Sequence, residues 1–210
     1  MSFLRAAICA NARGCVNNTT CYSVLLICDE VQTGLGRTGK LLASEHENVT
    51  PDALTLGKAL GGGLLPVSLF LARREVIDVF TPGDHGSTFG GNPLAATVGL
   101  EALDVLIEEN LVDRSARLGR YLLGQLRGLR SPLIRDVRGR GLFIGMELEP
   151  RLISARTFCE HLAARSVLSK ETHETVVRFA PPLVITREQI DRAVACVRET
   201  VDELSGADAA

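Results

Sequence analysis

The chain has 210 residues, enough for one large or two small domains. Its 23 basic and 25 acidic residues leave a net charge of −2, which offers no cationic footprint for nucleic acid. Apolar residues make up 46% and aromatics only 4%, and no apolar run approaches the ~20 residues that cross a bilayer, so an aliphatic-cored globular protein is expected and a spanning helix is not.

Residues 1–23 form an atypical start. Up to Tyr22 they hold no acid, two arginines (Arg5 and Arg13) and the turn-favouring run Asn17-Asn18-Thr19-Thr20. Phe3-Leu4-Arg5-Ala6-Ala7 reads as the remnant of a helix. Cys9, Cys15 and Cys21 are spaced more widely than zinc pairs, and no secretory signal accompanies them, so the cysteines read as reduced thiols. Val24–Cys28 is a short apolar run, read as a fully buried strand. Asp52–Leu56 and Pro66–Ala72 read as further strands, and Arg73–Phe80 as a helix. Pro93–Glu109 is a helix, with Asn92 as its cap, proline in its first turn, and Leu94, Val98, Ala102, Val105 and Leu106 at helical spacing. Asn110–Leu129 continues as helix after a break, with Leu111, Leu118, Leu122 and Leu126 on one face.

Beyond Pro132 the pattern changes. Leu133–Val137 and Leu142–Leu148 read as strands, Ser154–Ala164 as a helix, Val176–Phe179 as a strand and Thr186–Leu204 as a helix. Gln189 stands three residues after Thr186, as in a capping box. The order implies an α/β protein: part of a mostly parallel sheet over 24–112, a smaller α/β domain over 113–204, and a frayed tail over 205–210.

Asp29 ends the first buried strand, and Lys58 follows the next one by two residues within Gly57-Lys58-Ala59-Leu60-Gly61-Gly62-Gly63. A carboxylate and an amine so placed can face each other across one ligand. Pyridoxal phosphate needs that pair: the amine condenses with its aldehyde, and the carboxylate keeps its ring nitrogen protonated. Taken singly, Asp29 would read as the cap of a turn and Lys58 as a surface lysine. Two nucleotide-like patterns fail. Gly34-Leu35-Gly36-Arg37-Thr38-Gly39-Lys40 ends in Leu41 where a Mg²⁺-binding hydroxyl is needed. As a dinucleotide fingerprint it lies too far from its strand and lacks the later acid, since Asp52 comes too early. These glycines are expected to shape a loop.

Leu25-Leu26-Ile27-Cys28-Asp29-Glu30-Val31-Gln32-Thr33-Gly34 and Leu56-Gly57-Lys58-Ala59 resemble the class III, fold-type I aminotransferases that act on ω-amino groups. His85-Gly86-Ser87-Thr88-Phe89-Gly90-Gly91-Asn92-Pro93 resembles their phosphate loop, and Arg178-Phe179-Ala180-Pro181-Pro182-Leu183 the carboxylate-binding segment of ornithine aminotransferase. The resemblance runs from about Val24 to Leu204, with the motifs in family order. It implies the C-terminal part of a pyridoxal 5′-phosphate-dependent transferase fold, an incomplete sheet of the large domain plus a small C-terminal domain. The implied reaction moves the δ-amino group of ornithine to 2-oxoglutarate, giving glutamate semialdehyde and glutamate.

The same resemblance implies that Asp29 and Lys58 are catalytic, that Val31 stacks on the cofactor ring, and that Gln32 donates to its phenolic oxygen. Ser87 and Thr88 would bind phosphate, Thr88 in the other subunit of a homodimer, and Arg178 the substrate's α-carboxylate. Arg178 could otherwise form an ordinary salt bridge. Lys170-Glu171-Thr172-His173 favours ornithine over acetylornithine, the alternative donor. Glu101, Glu108, Glu109, Arg114, Arg117 and Arg120 read as solvated helix faces.

Family members carry a first half that these residues do not contain. The expectation is therefore a truncated chain with little activity alone and an apolar edge open at Val24–Cys28. A non-catalytic interaction protein is the alternative outside the class. The expected compartment is the cytoplasm; the acid-free start leaves the mitochondrial matrix as the alternative.

Overall fold

Residues 6–8, as backbone, and 24–206 are described by the computed structural model. They divide into two units. The first holds residues up to Gly36 together with Lys40–Asn110; the second holds Arg37–Gly39 and the chain from Leu111 onward.

In the first unit, strands β1 (Ala6–Ile8), β2 (Leu25–Asp29), β3 (Ala53–Leu56) and β4 (Leu69–Ala72) form one sheet in that order. The first two pairings are parallel and the last is antiparallel. Short 3-10 helices, Ala43–Glu47 and Lys58–Gly61, follow β2 and β3. A single turn of helix, α1 (Arg74–Ile77), and the long α2 (Pro93–Glu108) complete the unit. Pro93 opens α2, and the Asn92 side chain accepts from the Ala95 N–H at 2.8 Å, as the sequence implies.

Two expectations fail here. Ala6 and Ala7 lie in a strand and not in a helix remnant, because they pair with Leu25 and Leu26. For the same reason β2 is no open edge: it lies between β1 and β3. Two predicted elements are also shorter. Pro66 has no N–H to give a ladder, and the strand starts only at Leu69. The helix after Arg73 has no side-chain cap and lasts one turn.

The second unit begins with α3 (Leu111–Arg127), set off from α2 by Asn110 in the left-handed region at φ 50°, which asparagine tolerates. Strands β5 (Ile134–Arg140) and β6 (Phe143–Leu148), helix α4 (Ala155–Ala164), strands β7 (Lys170–Thr172) and β8 (Val176–Phe179), and helix α5 (Arg187–Gly206) follow. The sheet runs β5-β6-β8-β7, antiparallel throughout. Thr186 and Gln189 cap α5 reciprocally, at 2.9 and 3.2 Å. The core lies between this sheet and the inner faces of α3, α4 and α5, with Phe158, Leu162, Ile144 and Val177 among its wholly buried side chains.

Strand β7 is absent from the sequence expectation, since Lys-Glu-Thr carries no strand pattern. The tail expected to fray at 205 is helical to Gly206, and Ser205 shares a 2.9 Å hydrogen bond with Ser131. Arg114 is not on a solvated face: it is half-buried and donates to the carbonyls of Val184 and Ile185 at 3.0 and 2.9 Å. At Gly119 the backbone of Gly141 approaches so closely that a Cβ would lie 2.1 Å from its carbonyl carbon, so no side chain fits there.

Candidate active site

Adjacent parallel strands β2 and β3 end side by side, with Asp29 opposite Thr55. Their carboxyl edge is where open α/β sheets bind ligands. Asp29 is exposed at that edge. Its Oδ1 accepts from the Val31 N–H at 3.1 Å and from the Thr55 hydroxyl at 3.2 Å, while Oδ2 accepts nothing among the described residues. Both bonds fix the carboxylate's orientation and leave one oxygen free to receive a ligand's N–H.

Lys58 follows two residues beyond β3. It holds φ 47°, a left-handed backbone that costs a non-glycine residue about 1–2 kcal/mol. Strain of this kind collects at functional sites. Lys58 is exposed and has no partner among the described residues. Val31 packs against the backbone just before it: a Cβ on Gly57 would lie 3.4 Å from Val31 Cγ1. Gln32 is half-buried, and its amide has no partner among the described residues. Asp29, Val31 and the approach to Lys58 are thus drawn together by one hydrogen bond and one packing contact.

Ser87 and Thr88 sit in an exposed stretch before α2. The Ser87 carbonyl accepts from the Gly90 N–H at 3.2 Å, and Asn92 Nδ2 donates to the Phe89 carbonyl at 2.7 Å. No hydrogen bond joins either hydroxyl to Asp29 or Lys58. In the second unit, Arg178 lies on β8 between Gly145 of β6 and Lys170 of β7. Two cations stand opposite each other, an arrangement that repels unless an anion intervenes. Arg178 makes no side-chain hydrogen bond or ion pair among the described residues, so the salt-bridge reading gains no partner there.

The glycine-rich loop serves structure. Arg37 is half-buried, and that burial pushes its guanidinium below its ordinary pKa. It donates to the Leu142 carbonyl at 3.3 Å and to that of Pro181. Its own carbonyl accepts from Ser115 at 3.2 Å.

Sequence reasoning gave no role to Glu30 or Thr55. Thr55 orients Asp29. Glu30 is 3% exposed and accepts three hydrogen bonds, from the Thr33 hydroxyl and the N–H groups of Ala43 and Ser44. Burial, with the Glu30 charge adding to it, pushes the neighbouring Cys28 thiol upward. The only local hint is Thr33, three residues after Glu30; the donors from 43 and 44 are too far along the chain to be read.

The donor set fits pyridoxal phosphate: an oriented carboxylate, an unpartnered amine and a free amide around one sheet edge, with hydroxyls in a loop before a helix start. Comparison with known proteins agrees. The model of the Aminotransferase class-III family matches residues 12–201. Ornithine aminotransferase of Exiguobacterium sp. is 57% identical over 176 residues, which are 84% of this chain and 43% of that protein. The ornithine aminotransferase structure from Toxoplasma gondii that reveals partial occupancy of PLP at its active site has a TM-score of 0.89 and 42% identity, over 94% of this chain and 47% of that one. Acetylornithine aminotransferase from Elizabethkingia anophelis has a TM-score of 0.85 and 44% identity, over 91% and 49%. The chain spans under half the length of the curated relative it matches, and it belongs to the class-III aminotransferases.

Proposed function

We propose that this chain supplies the lysine-bearing part of a transaminase that moves the δ-amino group of ornithine to 2-oxoglutarate, giving glutamate semialdehyde and glutamate. The observation that carries this reading is the pairing of Asp29 and Lys58 at the carboxyl edge of two adjacent parallel strands, each presenting an unpartnered group. When bound, pyridoxal 5′-phosphate supplies an aldehyde for amines to condense with and a protonated ring that draws electrons from the carbon bearing the substrate's amino group.

Asp29 Oδ2, which no described group engages, would hold the proton on the ring nitrogen. Lys58 Nζ would be the amine that holds the cofactor's aldehyde, and as a free base it would be the group placed to carry a proton. Val31 would cover one face of the ring, and Gln32 would donate to its phenolic oxygen. Ser87 and Thr88 would hold phosphate, Thr88 that of a second subunit, a role that requires a homodimer. Arg178 forks a substrate carboxylate, and its unpartnered guanidinium beside Lys170 supports that role.

Borohydride reduction in the presence of excess cofactor, followed by peptide mass mapping, should tag Lys58. A tag on Lys40 or Lys170 instead overturns the assignment. Acetylornithine as donor is the second reading, supported by the 44% identity to the Elizabethkingia enzyme. Single-turnover bleaching of the cofactor band by ornithine and by acetylornithine separates the two.

A further inference from the structure

We infer that Glu30 is a positioning residue, a buried carboxylate that holds the Val31–Gln32 segment in its cofactor-facing conformation; this rests on the reading of the site just given. Its side chain ties together parts of the chain distant in sequence. Oε2 accepts from the Thr33 hydroxyl at 2.8 Å and from the Ala43 N–H at 2.9 Å, and Oε1 accepts from the Ser44 N–H at 2.8 Å. The two backbone donors approach different oxygens, so both must be acceptors. A carboxylate meets that demand, while a glutamine would set its NH₂ against one of them.

The backbone of Glu30 adds two more constraints. Its N–H donates to the Thr55 carbonyl at 3.0 Å, fixing it to β3, and its carbonyl accepts from the Gly34 N–H at 2.9 Å, closing a turn over Val31 and Gln32. That turn is too tight for a side chain at its end: a Cβ on Gly34 would lie 2.8 Å from the Glu30 carbonyl oxygen and 3.1 Å from Leu56 Cδ2. Val31 and Gln32 are therefore held from both sides. Asp29 receives the Val31 N–H before the turn, and Glu30 anchors Thr33 after it. No cation pairs with Glu30 among the described residues. A buried charge held only by neutral donors is costly unless every donor is in place, so the loop has one conformation in which the carboxylate is satisfied.

The test is borohydride trapping at Lys58 as a function of pyridoxal phosphate concentration on the purified full-length protein, with unfolding midpoints measured without cofactor. Glu30→Gln should raise the half-saturating concentration about tenfold or more, and Thr33→Val, which leaves both backbone donors, about threefold. Val76→Ala removes buried volume from α1 of the same unit, and should leave half-saturation within about twofold. An unchanged half-saturation in Glu30→Gln overturns the inference, and so does an equal rise in Val76→Ala. If Glu30→Gln does not fold, Thr33→Val decides by the same comparison with Val76→Ala. Failure of the unaltered protein to be trapped at Lys58 overturns the functional reading and this inference with it, an outcome distinct from normal trapping in every variant.

Discussion

Helices α2 and α3 are consecutive in the chain and nearly equal in length, yet they treat their apolar side chains in opposite ways. On α3, Leu111, Leu118, Leu122 and Leu126 are buried along one stripe and arginines cover the other face. On α2 only Ala95, Gly99 and Leu106 are buried, while Leu94, Leu100 and Ile107 are 63–65% exposed. The contrast extends to the units. All twelve of the largest fully buried side chains lie between Leu126 and Thr200, in the second unit. Thirteen of the sixteen large apolar side chains exposed among the described residues lie in the first. Exposed apolar side chains grouped on one surface mark a place where something packs. The second unit thus holds its own core, and the first, where the proposed site lies, leaves much of its apolar surface exposed among the described residues.

The largest expected effect tests the core. Phe158→Ala removes a wholly buried ring from the second unit and should cost about 3–5 kcal/mol. Hydrogen exchange should report it in the amides of α4 and α5 and leave β2 and β3 unaffected. Equal loss of protection in both units would mean that they do not open independently. Asp29→Asn is the counterpart in the first unit. It should leave exchange unchanged and raise the reaction barrier by about 2.7–4 kcal/mol, comparable to losing a main electrostatic stabiliser. Near-normal turnover in the complete protein would remove Asp29 from the chemistry.

Arg178→Lys tests the role proposed for a cation of the second unit. A point charge replaces a planar fork, so both the amino-acid and the 2-oxoglutarate half-reactions should weaken by about 1.5–3 kcal/mol. An effect on one half-reaction alone, or on neither, would make Arg178 structural.

The same asymmetry governs what could be read from the sequence. Elements with local signals were legible: the apolar run of β2, the Asn92 cap and Pro93 of α2, the Thr186–Gln189 box of α5. The positions of Asp29 and Lys58 on the sheet were legible because Asp29 ends one strand and Lys58 follows the next, and both strand ends are marked in sequence. Pairing partners were not. β1 and β7 are three-residue strands, and they exist because a neighbour supplies the ladder. Arg114 looked solvated because its acceptors, the carbonyls of Val184 and Ile185, lie seventy residues away. Glu30 looked like any acid after a strand, and only the fold brings Ala43 and Ser44 to it. Nor could the left-handed backbone of Lys58 be read, since no residue type at 58 announces it.

A smaller effect compares the units through one device. Asn92 caps α2 and Ser154 caps α4, each accepting a backbone N–H three residues on, at 2.8 and 3.0 Å. Replacing either by alanine should cost about 1 kcal/mol. The Ser154→Ala loss should appear in the unfolding of the second unit, because α4 is packed into its core. The Asn92→Ala loss should instead appear as fraying of α2, read from exchange at Ala95 and Ala96. A global loss from Asn92→Ala would mean that α2 is already covered.

The smallest expected change in stability belongs to the exposed face itself. Leu100→Ser with Ile107→Ser alters two side chains that are 64% and 65% exposed, so unfolding of the 210-residue chain should shift by no more than about 0.5 kcal/mol. Self-association should respond far more, since exposed apolar patches drive it. Sedimentation over a range of concentrations should show the doubly substituted chain remaining monomeric where the unaltered one associates. The identical change on α3, Leu118→Ser with Leu122→Ser, should unfold the second unit, because those positions are buried. Two outcomes would break the comparison. A loss above about 1 kcal/mol from the α2 pair would mean that these side chains are packed in solution. Unchanged association would move the contact surface elsewhere, to the exposed Leu69, Phe70 and Leu71 of β4. Among the described residues that strand ends its sheet with no neighbour on its outer edge, and it has exposed apolar side chains on both faces, the arrangement that invites a further strand.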